Sequence, residues 1–170
     1  IAEMARRGTP YQGVLYVGLM IEHGRARLVE YNARFGDPEC QVLMMRLGAQ
    51  ALDLLLACAE RRLAGAQVNW ADDHALTVVM AARGYPGAYE KGAVIGGLNR
   101  LPEDSFHMVF HAGTTMTGGE VQVSGGRVLC VTALGNTVAD AREKAYAAVD
   151  CIRFDGMQYR KDIGHKAIKS

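Results

Sequence analysis

Hydrophobic positions along this chain fall into stretches of two periods. Residues 11–20 (Tyr-Gln-Gly-Val-Leu-Tyr-Val-Gly-Leu-Met) mix β-branched, aromatic and apolar side chains with two glycines, the pattern of a buried strand that its neighbours approach closely. His23-Gly24 supplies a turn, and residues 26–33 return antiparallel as the second arm of a hairpin. The period then changes. Residues 39–47 read as a helix whose broad apolar surface holds Val42, Leu43, Met45, Arg46 and Leu47, interrupted at Gly48. Residues 51–64 form a leucine-rich second helix, with Arg61 and Arg62 near its C-terminal end and Gly65 as the stop. Such a leucine stripe predicts core, and the two arginines a solvated end.

Around Trp70-Ala71-Asp72-Asp73 the pattern breaks, which places a boundary between two modules at residues 65–73. Beyond it, residues 75–82 predict a central strand closed by Arg83-Gly84-Tyr85-Pro86-Gly87. The glycines up to Gly97 match neither a P-loop nor a dinucleotide fingerprint and predict tight turns. Residues 106–111 give another strand, and residues 120–124 with 127–133 a hairpin across Gly125-Gly126. Thr137 with Asp140 three residues on resembles a capping box opening a helix, whose inward face is Ala141, Ala145, Ala148, Val149 and Ile152. Residues 154–164 read as a polar, irregular tail. The fold class is therefore α+β.

Composition narrows the function. Nineteen basic against eighteen acidic residues leave a net charge of +1, so nothing in the bulk charge calls for nucleic acid or an anionic membrane as partner. No apolar run reaches the ~20 residues that span a bilayer. Cys40, Cys58, Cys130 and Cys151 lack C-x-x-C spacing and read as reduced structural thiols of a cytoplasmic protein. His107 and His111 share a strand face without a third ligand, which argues against zinc. The opening residues 1–8 read as the last turns of a helix ended by Gly8, so the chain is expected to continue a longer polypeptide.

The chemistry concentrates in residues 28–39, Leu-Val-Glu-Tyr-Asn-Ala-Arg-Phe-Gly-Asp-Pro-Glu. Strand alternation puts Glu30, Asn32 and Arg34 on one face, with Glu30 and Asn32 ~7 Å apart at Cα. Two hard oxygen donors can share a magnesium ion there, and Arg34 can face phosphate oxygens. After Phe35-Gly36, Asp37 suits an N-cap and Pro38 the first helical position, which aims a helix N-terminus at the same face. Each part has a plainer use, Asp-Pro-Glu as simple capping and Glu-x-Asn as a solvated face. Run together over twelve residues, they predict a site.

Glu30-Tyr31-Asn32-Ala33-Arg34-Phe35-Gly36-Asp37-Pro38-Glu39 resembles the signature of the phosphoribosylamine–glycine ligase (glycinamide ribonucleotide synthetase) family of the ATP-grasp superfamily. Residues 11–20, Gly84-Tyr85-Pro86-Gly87 and Tyr159-Arg160-Lys161-Asp162-Ile163-Gly164 look like further family landmarks, so the likeness runs through nearly the whole chain. The resemblance implies that residues 1–64 are the C-terminal part of an ATP-grasp domain and that residues 65–170 are a small mixed sheet-and-helix C-terminal domain. It implies an ATP-dependent ligase of purine biosynthesis, joining glycine to 5-phosphoribosylamine through glycyl phosphate and releasing ADP and phosphate. Glu30 and Asn32 would then be ligands of Mg2+ (or Mn2+), Arg34 would neutralise the developing acyl phosphate, and Asp37 and Glu39 would position the glycine amine or the neighbouring loop. Family members carry their adenine pocket and phosphate-binding lysine upstream, so this stretch alone is expected to be inactive without the N-terminal part of the polypeptide. Another ATP-grasp carboxylate–amine ligase and a non-catalytic binding or assembly module are the alternatives.

Overall fold

A computed structural model describes residues 1–101 and 106–168 of the chain. It separates into two compact units, the first made of Ile1–Cys40 and Leu47–Trp70, the second of Gln41–Arg46 and the chain from Ala71 onward.

The first unit opens with a short helix α1 (Ala2–Arg6) and a hairpin of β1 (Tyr16–Glu22) and β2 (Arg25–Asn32). His23 and Gly24 both take positive φ, the geometry that lets a two-residue turn follow the right-handed twist of its strands. Helix α2 (Glu39–Leu47), most of which belongs to the second unit, spans the predicted residues, and Gly48 follows it at φ +57°. Helix α3 (Gln50–Ala59) stops five residues before the expected end. Arg61, not Gly65, turns the chain at φ +60°: its amide bonds to the carbonyl of Cys58 and that of Arg62 to the carbonyl of Ala57, which closes the helix. Gln12 satisfies two further terminal carbonyls, donating to Cys58 at 2.8 Å and Ala59 at 2.7 Å.

Two expectations for this unit fail. Residues 11–15 are not strand, and β1 is not buried: Leu19 and Leu28 pair across the hairpin at 50% and 52% exposure. The leucine stripe of α3 is exposed as well, with Leu52 at 72% and only Ala57 buried. A two-stranded ribbon can bury a face only against another layer, and among the described residues β1 and β2 pair with each other alone.

In the second unit β7 (Arg127–Gly135) is the central strand, flanked antiparallel by β3 (His74–Ala81) and β4 (His107–His111). Leu76, Val78 and Met80 register with Ala133, Val131 and Leu129, so one face of the sheet is continuous aliphatic core. Helix α4 (Val138–Cys151) covers it with Ala141, Ala145, Ala148, Val149 and Ile152, all buried as the periodicity predicts. Small residues on that stripe let the helix backbone come close, and Gly135 lets it closer still: a methyl there would lie 2.3 Å from the Ala141 nitrogen. On the opposite face Thr132, fully buried, bonds the Thr77 hydroxyl at 2.8 Å, and Gln41 of α2 donates to Cys130 Sγ at 3.4 Å. Thr137 caps α4, accepting from the Asp140 amide at 3.1 Å, while Asp140 accepts from the Asn136 amide at 2.9 Å.

The expected hairpin across Gly125-Gly126 is replaced by another pairing. Residues 114–117, not recognised as a strand in the sequence, form β5 (Thr114–Thr117) against β6 (Glu120–Val123), turning at Gly118-Gly119. Both of those glycines have positive φ, as a tight two-residue turn demands; Gly125 and Gly126 do not. Their smallness serves close approach instead, since a methyl on Gly113 would sit 2.6 Å from Gly125 Cα, and one on Gly126 2.4 Å from the Tyr85 ring. The tail is irregular but anchored. Arg142 donates to the carbonyls of Ile163 and Lys161, Tyr146 donates to that of Arg160, and the chain ends its described part in the short helix α5 (His165–Ile168).

Candidate functional site

The polar run 28–39 lies wholly in the first unit. A β-bulge decides what faces Glu30. Counting back from the turn pairs Leu19 with Leu28; the register then slips, so that Gly18 pairs with Glu30 and Tyr16 with Asn32, and Val29 is the extra residue. The slip puts Leu28 and Glu30 on opposite faces although they are two apart. Residues paired directly across a ladder share a face. Apolar Leu19 and Leu28 therefore lie on one side, and Tyr16, Gly18, Glu30 and Asn32 on the other.

Glu30 and Asn32 are in contact, the Asn32 amide donating to Glu30 Oε1 at 2.9 Å. Gly18 leaves room for this pair, because a methyl at that position would be 3.3 Å from Glu30 Cγ. An amide that donates through nitrogen keeps its carbonyl oxygen as an acceptor. The two side chains thus offer hard oxygens side by side, a fit to magnesium, which takes one or two protein ligands and fills its octahedron with water and phosphate oxygens. No set of three His, Cys, Asp or Glu side chains converges on one point among the described residues.

Arg34 departs from the expected alternation. Strand β2 ends at Asn32, and Arg34 follows in a bend, its guanidinium donating to the Phe35 carbonyl at 2.6 Å. That bond uses one of five donors and leaves the exposed group able to reach an anion. Asp37 and Pro38 form a turn joined by a cis peptide bond, ahead of a helix that opens at Glu39. Pro38 is therefore not the first helical residue that was expected; ahead of the helix the Gly36 carbonyl accepts the Cys40 amide at 2.9 Å.

Glu39 does reach the polar face. Its Oε1 lies 3.2 Å from the Tyr16 hydroxyl, and Tyr16 is the cross-strand partner of Asn32. The Glu39 charge, then burial and the bond to Glu39, with a smaller contribution from Glu30, push the Tyr16 hydroxyl above its ordinary value. Burial, helped by the Asp37 charge, pushes the Cys40 thiol up, so this cysteine is not an activated nucleophile. The structure thus gathers Glu30, Asn32 and Glu39 and adds Tyr16 and Gly18, which the sequence pattern marks only as part of the first strand. Parity from the turn at His23-Gly24 would have found Tyr16 only if the bulge had been visible.

The bulged hairpin with its acid and amide, and the helix start that follows it on a second acid, fall in a segment that matches the end of an ATP-grasp domain. Residues 1–40 match the model of the phosphoribosylglycinamide synthetase ATP-grasp (A) domain, and residues 75–166 that of the phosphoribosylglycinamide synthetase C domain. The chain belongs to the phosphoribosylglycinamide synthetase family. It is 54% identical to a phosphoribosylamine–glycine ligase of Rhizobium meliloti (strain 1021), over 97% of this chain and 38% of the relative. It is 48% identical to that of Vibrio vulnificus (strain YJ016), again over 97% of this chain and 38% of the relative. The crystal structure of the phosphoribosylamine–glycine ligase of Thermotoga maritima superposes with a TM-score of 0.78 at 36% identity, covering 94% of this chain and 39% of that one. The chain thus spans about two fifths of the length of these relatives.

Proposed function

We propose that this chain serves, within a longer polypeptide, an ATP-dependent ligase that joins glycine to 5-phosphoribosylamine. The products are glycinamide ribonucleotide, ADP and phosphate, formed through glycyl phosphate in purine biosynthesis in the cytoplasm. Residues 1–64 are its share of the ATP-grasp domain and residues 65–170 the C-terminal domain. The observation that carries this reading is the bonded Glu30–Asn32 pair, inside the segment that matches the ATP-grasp model and within a chain about half identical to named ligases.

Glu30 and Asn32 would hold Mg2+ or Mn2+, with Gly18 clearing the space beside them. A divalent ion there supplies positive charge to the phosphates of ATP. Arg34 faces the glycine carboxylate as it attacks the γ-phosphate of ATP with ADP as the leaving group, and stabilises the charge carried by the resulting acyl phosphate, a fixed cation acting without proton transfer. Asp37 and Glu39 accept hydrogen bonds from the glycine ammonium group and so orient its carboxylate. In the complete protein ADP release should require both glycine and phosphoribosylamine. Glu30→Gln should lower turnover about 10²–10³-fold, the scale of one removed electrostatic contact, with the unfolding midpoint unchanged. Wild-type turnover by that variant would refute the metal assignment, and ADP release indifferent to glycine would refute the ligase.

A further inference from the structure

Tyr16 has no part in the chemistry above, yet it is the residue that ties the helix corner to the hairpin. Its half-buried hydroxyl bonds Glu39 Oε1 at 3.2 Å, and its backbone pairs with Asn32. The other oxygen of the same carboxylate is located by a missing atom: a methyl on Gly36 would stand 2.3 Å from Glu39 Oε2. An acid at the first residue of a helix ordinarily swings freely into water, because its side chain has three rotatable bonds and no neighbour on the N-terminal side. Here a donor holds one oxygen, and a glycine makes room for the other.

We propose that Tyr16 is a positioning residue: it holds the Glu39 carboxylate on the polar face of the hairpin, where that carboxylate receives the ammonium group of a small amino acid substrate. This rests on the ligase reading. A second hard cation is the alternative occupant of Glu39, but among the described residues no three His, Cys, Asp or Glu side chains converge there, whereas the carboxylate oxygen that the tyrosine does not hold can accept an ammonium N–H. Glu30 and Asn32, whose side chains lie in contact, remain the pair suited to the metal.

The test compares the complete polypeptide with its Tyr16→Phe, Glu39→Gln and doubly substituted forms, in initial rates against glycine and against Mg2+. Tyr16→Phe should raise the KM for glycine about fivefold, the effect of one lost solvent-exposed hydrogen bond to a charged group, with kcat and the Mg2+ requirement unchanged. The double variant should be no worse than Glu39→Gln alone, because the tyrosine acts only through that acid. Equal unfolding midpoints of wild type and Tyr16→Phe establish that the fold is not what changed. A shifted Mg2+ requirement, an unchanged glycine KM, fully additive effects, or a loss of kcat together with a lowered midpoint would each overturn the inference. A wild-type protein whose ADP release ignores glycine would overturn the ligase reading and this inference together, whereas active wild type with an indifferent Tyr16→Phe overturns the inference alone.

Discussion

Gly36→Ala separates the geometry of the site from the stability of the fold. Gly36 does not use the left-handed region, so an alanine backbone fits there without strain. The new methyl would meet Glu39 Oε2 at 2.3 Å and Glu39 Cδ at 3.0 Å. To restore an ordinary contact of ~3.5 Å the carboxylate oxygen must move by about 1 Å. That swing is cheap for the fold, because the displaced atoms are the far end of a flexible side chain; only Glu39 Cβ, at 3.3 Å, asks the backbone to give by a few tenths of an ångström. Loss of the glycine from the unfolded ensemble adds about 0.4–1 kcal/mol in the other direction. The unfolding midpoint should therefore stay level or rise slightly. The Tyr16–Glu39 bond uses the other oxygen of the same carboxylate and is already 3.2 Å long, so a swing that carries that oxygen about 0.3 Å further from the hydroxyl takes it beyond the ~3.5 Å reach of a hydrogen bond. A charge-assisted bond open to solvent contributes about 1 kcal/mol, which is roughly a fivefold loss of apparent glycine affinity. Thermal unfolding and initial rates against glycine in the complete protein read the two effects side by side. Unaltered glycine KM in a stably folded variant would refute the claim that the placement of Glu39 matters.

Gly113→Ala should behave in the opposite manner, because its methyl meets backbone that cannot yield: the Arg127 carbonyl at 2.5 Å and Gly125 Cα at 2.6 Å. Overpacking of about 2 kcal/mol would lower the midpoint of the ~100-residue second unit by roughly 10 °C, and a midpoint within 2–3 °C of wild type, roughly, would show that β5 and β7 adjust more freely than their glycines indicate. In acid, the Arg160 guanidinium holds the Asp162 carboxyl down to about 2, below its ordinary 3.8. A depressed acid stabilises the fold above its unfolded value and loses that contribution as pH falls through the folded one. The midpoint difference between wild type and Asp162→Asn should thus be constant above about pH 5 and vanish on descent towards pH 2; a difference independent of pH over that window would show that the pair contributes nothing.

What the sequence determined by itself were the features that local chemistry specifies. The 3.6-residue stripe of Ala141, Ala145, Ala148, Val149 and Ile152 needs only one apolar sheet to lie against, and Thr137 with Asp140 supplies the start of that helix from within four residues. The limits of α2 and the turn at His23-Gly24 follow from local chemistry in the same way, as does the side-by-side placement of Glu30 and Asn32 on one strand. Tertiary structure decided the rest. Glycine pairs look alike in sequence, and whether one turns the chain, as Gly118-Gly119 does, or admits a neighbouring backbone, as Gly125 does, depends on partners far along the chain. The central place of β7, the exposure of the α3 leucines and the left-handed Arg61 that ends α3 are likewise set by what each element meets. The bulge at Gly18 is the most consequential of these. One extra residue, Val29, moves Tyr16 to the side of Glu30 and Asn32, and no period-two reading of either strand can reveal a register that exists only between them.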